Sequence, residues 1–191
     1  MKIGDTIQTE RLVLRHWDRS IDGAAFHRQT SDPEILRFFP TRRTRAESDD
    51  LLNVLAQKLE NDGFGTCAIT LGDSGEVIGW GGLAAVHDDM PPGPATEIGW
   101  RFSPEHWGKG YATEMALACR DYAFETLGVD ELIAFAVADN HPSTAVMNRI
   151  GMKHQPARDF DHPRVPDDRP DLKYHVLWSI NRAEWLRLTR P

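Results

Sequence analysis

Two glycines that flank a lysine, Gly108-Lys109-Gly110, stand between a β-rich segment and an amphipathic helical pattern. A helix N-terminus leaves main-chain N–H groups without intrahelical acceptors and carries about half a positive charge, so it attracts anions. Glycines allow the main chain to approach a phosphate closely, and Lys109 would add a positive charge. The segment is a candidate phosphate-binding turn. A tight strand-to-helix turn without a ligand is the alternative.

Two known nucleotide-binding motifs do not account for this turn. The P-loop pattern would need glycine at Ser103 and serine or threonine at Gly110. A dinucleotide fingerprint that starts at Gly108 would need glycine or alanine at Thr113. A formal match at 79–84 leads into a proline-rich loop instead of a helix, so we do not assign it a nucleotide.

Other catalytic chemistries lack their sequence patterns. The chain has eight histidines but neither His-Glu-x-x-His nor Cys-x-x-Cys spacing, so we expect surface histidines and no metal. Gly-x-Ser-x-Gly, the serine hydrolase pattern, is absent as well. Cys67 falls in an apolar strand and Cys119 on the apolar side of a helix, which is typical of buried structural thiols.

Two longer motifs together resemble the acyl-CoA site of the GNAT superfamily of N-acetyltransferases. The first, Trp107-Gly-Lys-Gly-Tyr-Ala112, is similar to the family's motif A, Gln/Arg-x-x-Gly-x-Gly/Ala, with tryptophan at the first position. The second, Asn140-His-Pro-Ser143-Thr-Ala-Val146-Met-Asn-Arg149-Ile-Gly151-Met152, is similar to Asn-x-x-Ser-x-x-Val-x-x-Lys-x-Gly-Phe. The opening segment 9–15 resembles that of ribosomal-protein N-terminal acetyltransferases and their small-molecule relatives.

The resemblance implies an α/β (α+β) fold with a mixed, mostly antiparallel central sheet, flanked by helices and splayed between the strands around Asn140. It implies acetyl-CoA as the co-substrate, no metal, and direct acetyl transfer to a primary amine through a ternary complex. The residues that it assigns to acetyl-CoA are Trp100, Arg101, Phe102, Trp107, Gly108, Lys109, Gly110, Tyr111, Ala112, Thr113, Asn140, Ser143 and Arg149.

Two residues are candidates for proton transfer. Glu97 opens the strand that leads to the phosphate turn, where related enzymes often place a general base; a surface charge is the alternative. By the resemblance, Ser143 would protonate the departing CoA thiolate, but it is equally suited to cap the helix that follows.

Asn140 and Tyr111 each have two interpretations, and one residue of the strand is expected to act through its main chain. Asn140 either contacts the cofactor or forms an Asx turn before His141-Pro142. Tyr111 either covers the cofactor or fills the core beneath the helix. A main-chain amide between Trp100 and Phe102 is expected to stabilise the oxyanion, and one such donor typically lowers the barrier by about 3 to 4 kcal/mol.

The acceptor is suggested by proton chemistry. Transfer needs a neutral amine, and a protein α-amino group, with a pKa of about 7.7 to 8, is far easier to deprotonate than lysine, which costs about 4 kcal/mol near neutral pH. We therefore expect a protein N-terminal α-amine. A small amine (an amino acid, polyamine or aminoglycoside) and a non-catalytic acyl-CoA-binding protein remain alternatives. The aspartate-rich loop 159–171 could attract cationic amines, although such loops are usually only solvated.

Length and charge set the outer limits. A chain of 191 residues fits one domain, residues 1–191, and a net charge of −7 argues against nucleic acid. No apolar run approaches the roughly 18 residues of a membrane span, and the first five residues show no leader, so a cytoplasmic protein is expected. A homodimer is possible, since Trp178 and Trp185 suit a dimer interface or a core equally well.

The elements that must position these residues follow from periodicity and turn chemistry. A capping box at Thr44–Glu47 predicts a helix over 45–60. Strands are expected at 9–15, 96–102, 132–137 and 175–180, with a hairpin over 65–85. Two short helices broken near Pro33 are expected within 24–39, with Phe38 and Phe39 in the core. Further helices are expected at 110–127 and 143–150, and a loop at 159–171.

Overall fold

A computed structural model of the chain describes residues 6–87 and 89–189. Residues 1–5, on which the expectation of no leader rests, lie outside the described residues. The elements in chain order are β1 (Ile7–Gln8), β2 (Leu12–Arg15), α1 (Gly23–Ser31), α2 (Arg45–Asp62), β3 (Thr66–Leu71), β4 (Val77–Val86), β5 (Ala95–Phe102), α3 (Tyr111–Tyr122), β6 (Glu131–Val137), α4 (His141–Arg149), β7 (Lys153–His154), β8 (Phe160–Asp161), β9 (Tyr174–Asn181) and α5 (Arg182–Thr189).

The described residues form two compact units. The first takes the chain up to Ala84 together with Gly99–Ala118, and the second takes Ala85–Ile98 together with the chain from Cys119. Strands β4 and β5 and helix α3 each contribute to both units. The prediction that residues 1–191 make one domain stays a prediction.

The first unit is an antiparallel sheet covered by α1 and α2. Strands β1 to β4 pair in sequence order, each antiparallel to the next. Gly79 and Gly81 on β4 have no room for a side chain, because a Cβ would lie 2.5 Å from the carbonyl oxygens of Arg101 and Gly99 on β5. Close strand packing therefore accounts for the glycines of the formal nucleotide match. A core cluster joins the helices to the sheet: Trp17, Phe26, Leu52, Ala56 and Ala68.

Helix α2 begins where the sequence predicts. The Thr44 hydroxyl accepts from the main-chain N–H of Glu47, and the Glu47 carboxylate accepts from the N–H of Thr44, which completes the capping box. The helix runs to Asp62, two residues beyond the predicted end, and Gly63 closes it in the left-handed region.

The second unit contains a mixed sheet. Among the described residues, β5 and β6 are parallel and pair at two positions, Thr96 with Leu132 and Glu97 with Ile133. The other edge of β6 pairs antiparallel with β9 along its whole length, and β7 and β8 also pair with β9. The predicted fold class, a mostly antiparallel mixed sheet flanked by helices, is confirmed.

The prediction of two short helices within 24–39 is wrong in its second half. Residues 33–38 form turns, and Phe39 keeps 40% of its surface exposed while Phe38 is half-buried. Both rings lie against arginines, Phe39 on the Arg101 guanidinium and Phe38 on that of Arg37.

Other corrections concern both ends of the chain. The strand predicted at 9–15 begins only at Leu12, because a turn over Thr9–Leu12 precedes it, and the short strand β1 before this turn was not predicted. Helix α5 was not predicted; it buries Trp185, which is 2% exposed and stacks on Phe124, so this tryptophan belongs to a core. Trp178 is partly buried and stacks on the ring of His154.

The expectation of surface histidines fails at two positions. His106 and His175 are buried, the latter in a cluster of rings with Phe135, Phe160 and His162.

The predicted loop 159–171 contains β8, and several of its aspartates are paired: Asp159 accepts from the N–H of Leu177 and Asp167 pairs with Lys173. None of the helices in the described part of the chain is long and apolar enough to cross a membrane.

Candidate active site

The glycine turn lies between the 3₁₀ turn Pro104–His106 and α3, in the first unit. Gly108 has φ +72° and Gly110 φ +84°, which side-chain-bearing residues rarely adopt. Nothing lies within 4 Å of where a Gly108 Cβ would be, so the glycine leaves open space beside the main chain. The conformation explains the glycines locally, and the open space leaves room for a ligand.

The main-chain N–H groups of this turn are unused. Those of residues 108–113 have no acceptor among the described residues, whereas the flanking N–H groups of Trp107 and Glu114 donate to Pro104 and Gly110. Six consecutive donors at the N-terminus of a 12-residue helix form an electropositive surface. Such an arrangement can bind a diphosphate.

Side chains around the turn leave this surface open. Trp107 turns its indole back to β5, where Nε1 donates to the carbonyl of Phe102 at 2.8 Å. Lys109 is exposed. Tyr111 is half-buried, with the Arg11 guanidinium 4.6 Å from its ring centroid and the His106 ring 6.2 Å away. That Tyr111 contacts the cofactor stays a prediction.

Arg11 and Glu114 hold the turn, and sequence reasoning missed both. Arg11 donates to the carbonyl of Lys109 at 2.9 Å and to the Glu114 carboxylate at 2.7 Å. Glu114 also accepts from the Thr9 hydroxyl and from the N–H of Arg11. Burial alone would raise the pKa of Glu114, but these hydrogen bonds lower it, so the group stays ionised. The signal in the sequence was Glu114 itself, an acidic residue in the helix turn that is proposed to bind an anion. A carboxylate at that position requires a cation that neutralises it.

We expect Arg11→Met to raise the KM for acetyl-CoA about 3- to 10-fold without changing the pH dependence of kcat, because an unpaired Glu114 would repel the diphosphate. The double variant Arg11→Met, Glu114→Gln should recover part of the loss. The control is Arg19→Met, which removes the exposed pair of Arg19 with Glu60. An unchanged KM in the Arg11 variant would contradict this role.

The end of β5 contains three predicted cofactor residues. Phe102 is buried and Trp100 partly buried, and the carbonyl of Phe102 is occupied by Trp107. Arg101 contacts the rings of Phe39 and Trp80. Burial, and to a smaller degree the charge of Arg43, lowers the pKa of Arg101 to about 9, so it is a cation at neutral pH.

Glu97 lies on β5 in the second unit, paired with Ile133 on β6. Burial raises the pKa of its carboxyl to about 7, and no positive group lowers it. The residue as a whole is partly exposed, so solvent lies close to it. A carboxylate with a pKa near neutrality and a route for protons to solvent is suited to general base catalysis. The alternative of an ordinary surface charge does not fit this burial.

Asn140, Ser143 and Arg149 also lie in the second unit, at α4. Asn140 is the N-cap: its side-chain oxygen accepts from the N–H of Ser143 at 3.3 Å. The interpretation of Ser143 as the cap is therefore wrong, and the helix begins at His141, two residues earlier than predicted. Arg149 is exposed in the last turn of α4, where its positive charge interacts favourably with the negative end of the helix dipole.

We expect Asn140→Ala to lower the free energy of unfolding by about 1 kcal/mol, because the cap of α4 is lost. Ser143→Ala should leave stability within a few tenths of a kcal/mol, since its main-chain N–H still reaches Asn140. Urea unfolding of both variants checks the difference. Equal destabilisation by the two would contradict this assignment of the cap.

The cysteines and the possible metal ligands are the other side chains considered for chemistry. Cys67 and Cys119 are buried and form no disulfide, and burial raises the pKa of the Cys67 thiol to about 12. No three His, Cys, Asp or Glu side chains are grouped to hold a metal ion within residues 6–87 and 89–189.

The fold and the turn correspond to one class of protein. The family model described as an acetyltransferase (GNAT) domain matches residues 11–153. The chain belongs to the GNAT acetyltransferase family and is an acyltransferase.

Three similar proteins illustrate the relationship. The FsC-acetyl coenzyme A-N(2)-transacetylase of Aspergillus fumigatus is 34% identical over 84% of this chain and 69% of its own. A crystal structure of an acetyltransferase from Agrobacterium tumefaciens C58 is 29% identical, with a TM-score of 0.73 over 93% of this chain and 95% of the other. RimL, a ribosomal L7/L12 α-N-protein acetyltransferase solved in complex with coenzyme A, shares the fold at 15% identity and a TM-score of 0.74, over 93% of this chain and 98% of its own.

Proposed function

We propose that this acetyltransferase uses acetyl-CoA and acetylates a primary α-amine, that of a protein N-terminus, by direct attack. The observation that carries the proposal is the row of six main-chain N–H groups without acceptors at 108–113. These donors, with the exposed Lys109, suit the diphosphate of coenzyme A. RimL, whose fold this chain shares, acts on a protein α-amine and binds coenzyme A.

The chemical roles follow from the properties of each group. Glu97 accepts the proton that the α-amine loses, because a carboxylate with a pKa of about 7 is half-ionised at neutral pH and matches the amine closely. The amine nitrogen forms a bond to the thioester carbonyl carbon, and a main-chain amide within 100–102 stabilises the oxyanion. The C–S bond then breaks, and the Ser143 hydroxyl gives a proton to the thiolate and regains one from solvent.

A small amine remains the second candidate because of one comparison. The relative from Aspergillus fumigatus is, by its name, a transacetylase that acts at N(2) of FsC. The amine of a small molecule must also lose a proton when it attacks the thioester, so Glu97 would have the same role in both.

An acceptor panel with detection of the released thiol tests the proposal. We expect turnover of peptides with a free N-terminus and none of the same peptides with a blocked N-terminus and an internal lysine. Turnover restricted to amino acids, polyamines or aminoglycosides would replace the peptide by a small amine. Calorimetric binding of CoA without turnover of any acceptor would support the binding-only alternative instead.

A further inference from the structure

Arg101 is a partly buried cation for which the described residues provide no anion. Its central carbon lies 3.9 Å from the ring centroid of Phe39 and 4.5 Å from that of Trp80. Among the described residues it has no hydrogen-bond acceptor and no ion-pair partner. Aromatic rings stabilise a cation but accept none of its N–H groups in the guanidinium plane. Because charges that are even partly withdrawn from water are normally paired in proteins, these unpaired donors are available to a ligand.

Trp80 adds a second unused donor beside Arg101. Its Nε1 is buried and has no hydrogen-bond partner, and an indole N–H can only donate. Gln29 is 0% exposed, and both atoms of its amide lack partners. It follows Phe26 by one helical turn on the same face of α1, and the ring of Phe26 lies 5.5 Å from that of Trp80. Buried polar groups without partners are rare, so several in one region indicate a binding site.

The charges nearby indicate the sign of the ligand. Residues 37–45 contain four arginines, and the charge of Arg43 acts directly on Arg101. Of these four, Arg45 has an ion-pair partner, Asp49, whereas the other three have none among the described residues. Glu47 is engaged in the capping box of α2. The region therefore attracts anions and repels polycations.

We propose that Arg101 and Trp80 bind a carboxylate of the acceptor, so that the enzyme acetylates α-amines that carry a carboxylate. Two sources have this chemistry: the α-carboxylate of a small amino acid, and an acidic side chain next to a peptide N-terminus. The inference rests on the proposed function and narrows its acceptor. It excludes polyamines and aminoglycosides, which carry only positive charge.

Matched acceptor pairs test the inference on the full chain. One pair is an amino acid and its amide, and the other is a peptide with glutamate or glutamine at its second position. We expect the wild type to favour the carboxylate member of at least one pair about 10- to 100-fold in kcat/KM. Whichever pair shows the preference identifies the source of the carboxylate.

Variants of Arg101 assign the preference to the proposed site. Arg101→Met keeps a long apolar side chain against Phe39 and Trp80, and we expect it to reduce the ratio within each pair to about one. Arg101→Lys should retain part of the preference. The matched control is Arg28→Met, because Arg28 is exposed on α1; its ratios should equal those of the wild type.

Two results would overturn the inference. The first is a wild-type ratio near one in both pairs, which needs no variant and so does not depend on the variants folding. The second is a raised KM for acetyl-CoA in Arg101→Met with the ratios intact, which would assign the cation to a phosphate of coenzyme A.

Calorimetry separates this inference from the proposed function. The carboxylate and amide members are titrated into the protein with CoA present. Arg101-dependent binding of the carboxylate member without any turnover would support the site and contradict the proposed reaction. Turnover of α-amines with no Arg101-dependent binding would support the proposed reaction and contradict the carboxylate site.

Discussion

Glu97→Gln should lower kcat for α-amine acetylation about 100- to 10,000-fold, because an amide cannot accept the proton that the attacking amine loses. The substitution keeps the size of the side chain and removes a carboxyl whose pKa is raised to about 7 by burial. The KM for acetyl-CoA should change little. Steady-state kinetics with detection of the released thiol gives both constants, and Glu125→Gln, on an exposed glutamate, is the control.

The pH profile separates general base catalysis from a structural role of Glu97. With an acceptor amine whose own pKa lies below about 6, wild-type kcat/KM should rise with an apparent pKa of about 7, since the base must be deprotonated. This limb should be missing from the residual activity of Glu97→Gln. A variant with near wild-type kcat, or one that keeps the limb, would remove Glu97 from the reaction.

Stability provides a readout of Glu97 that is independent of activity. Because its pKa is higher in the folded chain than in the unfolded chain, the protonated carboxyl favours the folded state below about pH 4.5, and this contribution is lost as the pH rises through about 7. Glu97→Gln should therefore gain stability relative to the wild type between pH 5 and pH 8, by an amount on the order of 3 kcal/mol. Urea unfolding at both pH values measures it.

Gly108→Asp should raise the Kd for coenzyme A about 100-fold, because a carboxylate would then lie beside the donors proposed to hold the diphosphate. Aspartate and asparagine tolerate left-handed φ values better than most residues, so the +72° at Gly108 costs them little. The neutral Gly108→Asn should weaken binding less than Gly108→Asp. Isothermal titration with coenzyme A measures all three proteins.

The chain contains a matched control for this substitution. Gly75, in the turn between β3 and β4, also has φ +72°, and no atom lies within 4 Å of the position that a Cβ would occupy there. Gly75→Asp therefore meets the same backbone conformation and the same open space, and its affinity for coenzyme A should equal that of the wild type. Equal affinities in Gly108→Asp and Gly75→Asp would contradict the assignment of the turn to phosphate.

Local patterns predicted the turn and the elements around it. Glycines, a preceding strand and a following helix were sufficient to locate residues 107–113, and the capping box located the start of α2. The cap of α4 was misassigned because asparagine and serine are both strong N-cap residues and stand three positions apart. The spacing of Ile35, Leu36 and the two phenylalanines that follow favours a helix, but residues 33–38 form turns and the rings of Phe38 and Phe39 pack on arginines.

Local sequence patterns could not predict contacts between residues that are distant in the chain. The resemblance assigns Arg101 to the cofactor, whereas its stacking on Phe39 and Trp80 depends on how the turn after α1 approaches β4 and β5. The raised pKa of Glu97 depends in the same way on what surrounds it, which spacing along one strand does not encode.

The pair of Arg11 and Glu114 has a consequence for the order of folding. The two residues are 103 positions apart, so joining them closes most of the first unit into a loop, with an entropy cost that grows with its length. During synthesis Arg11 leaves the ribosome long before Glu114 is added to the chain. The contact that holds the glycine turn therefore cannot form until then. We therefore expect the proposed coenzyme A site to be completed late in folding, after the strands between the two residues have assembled.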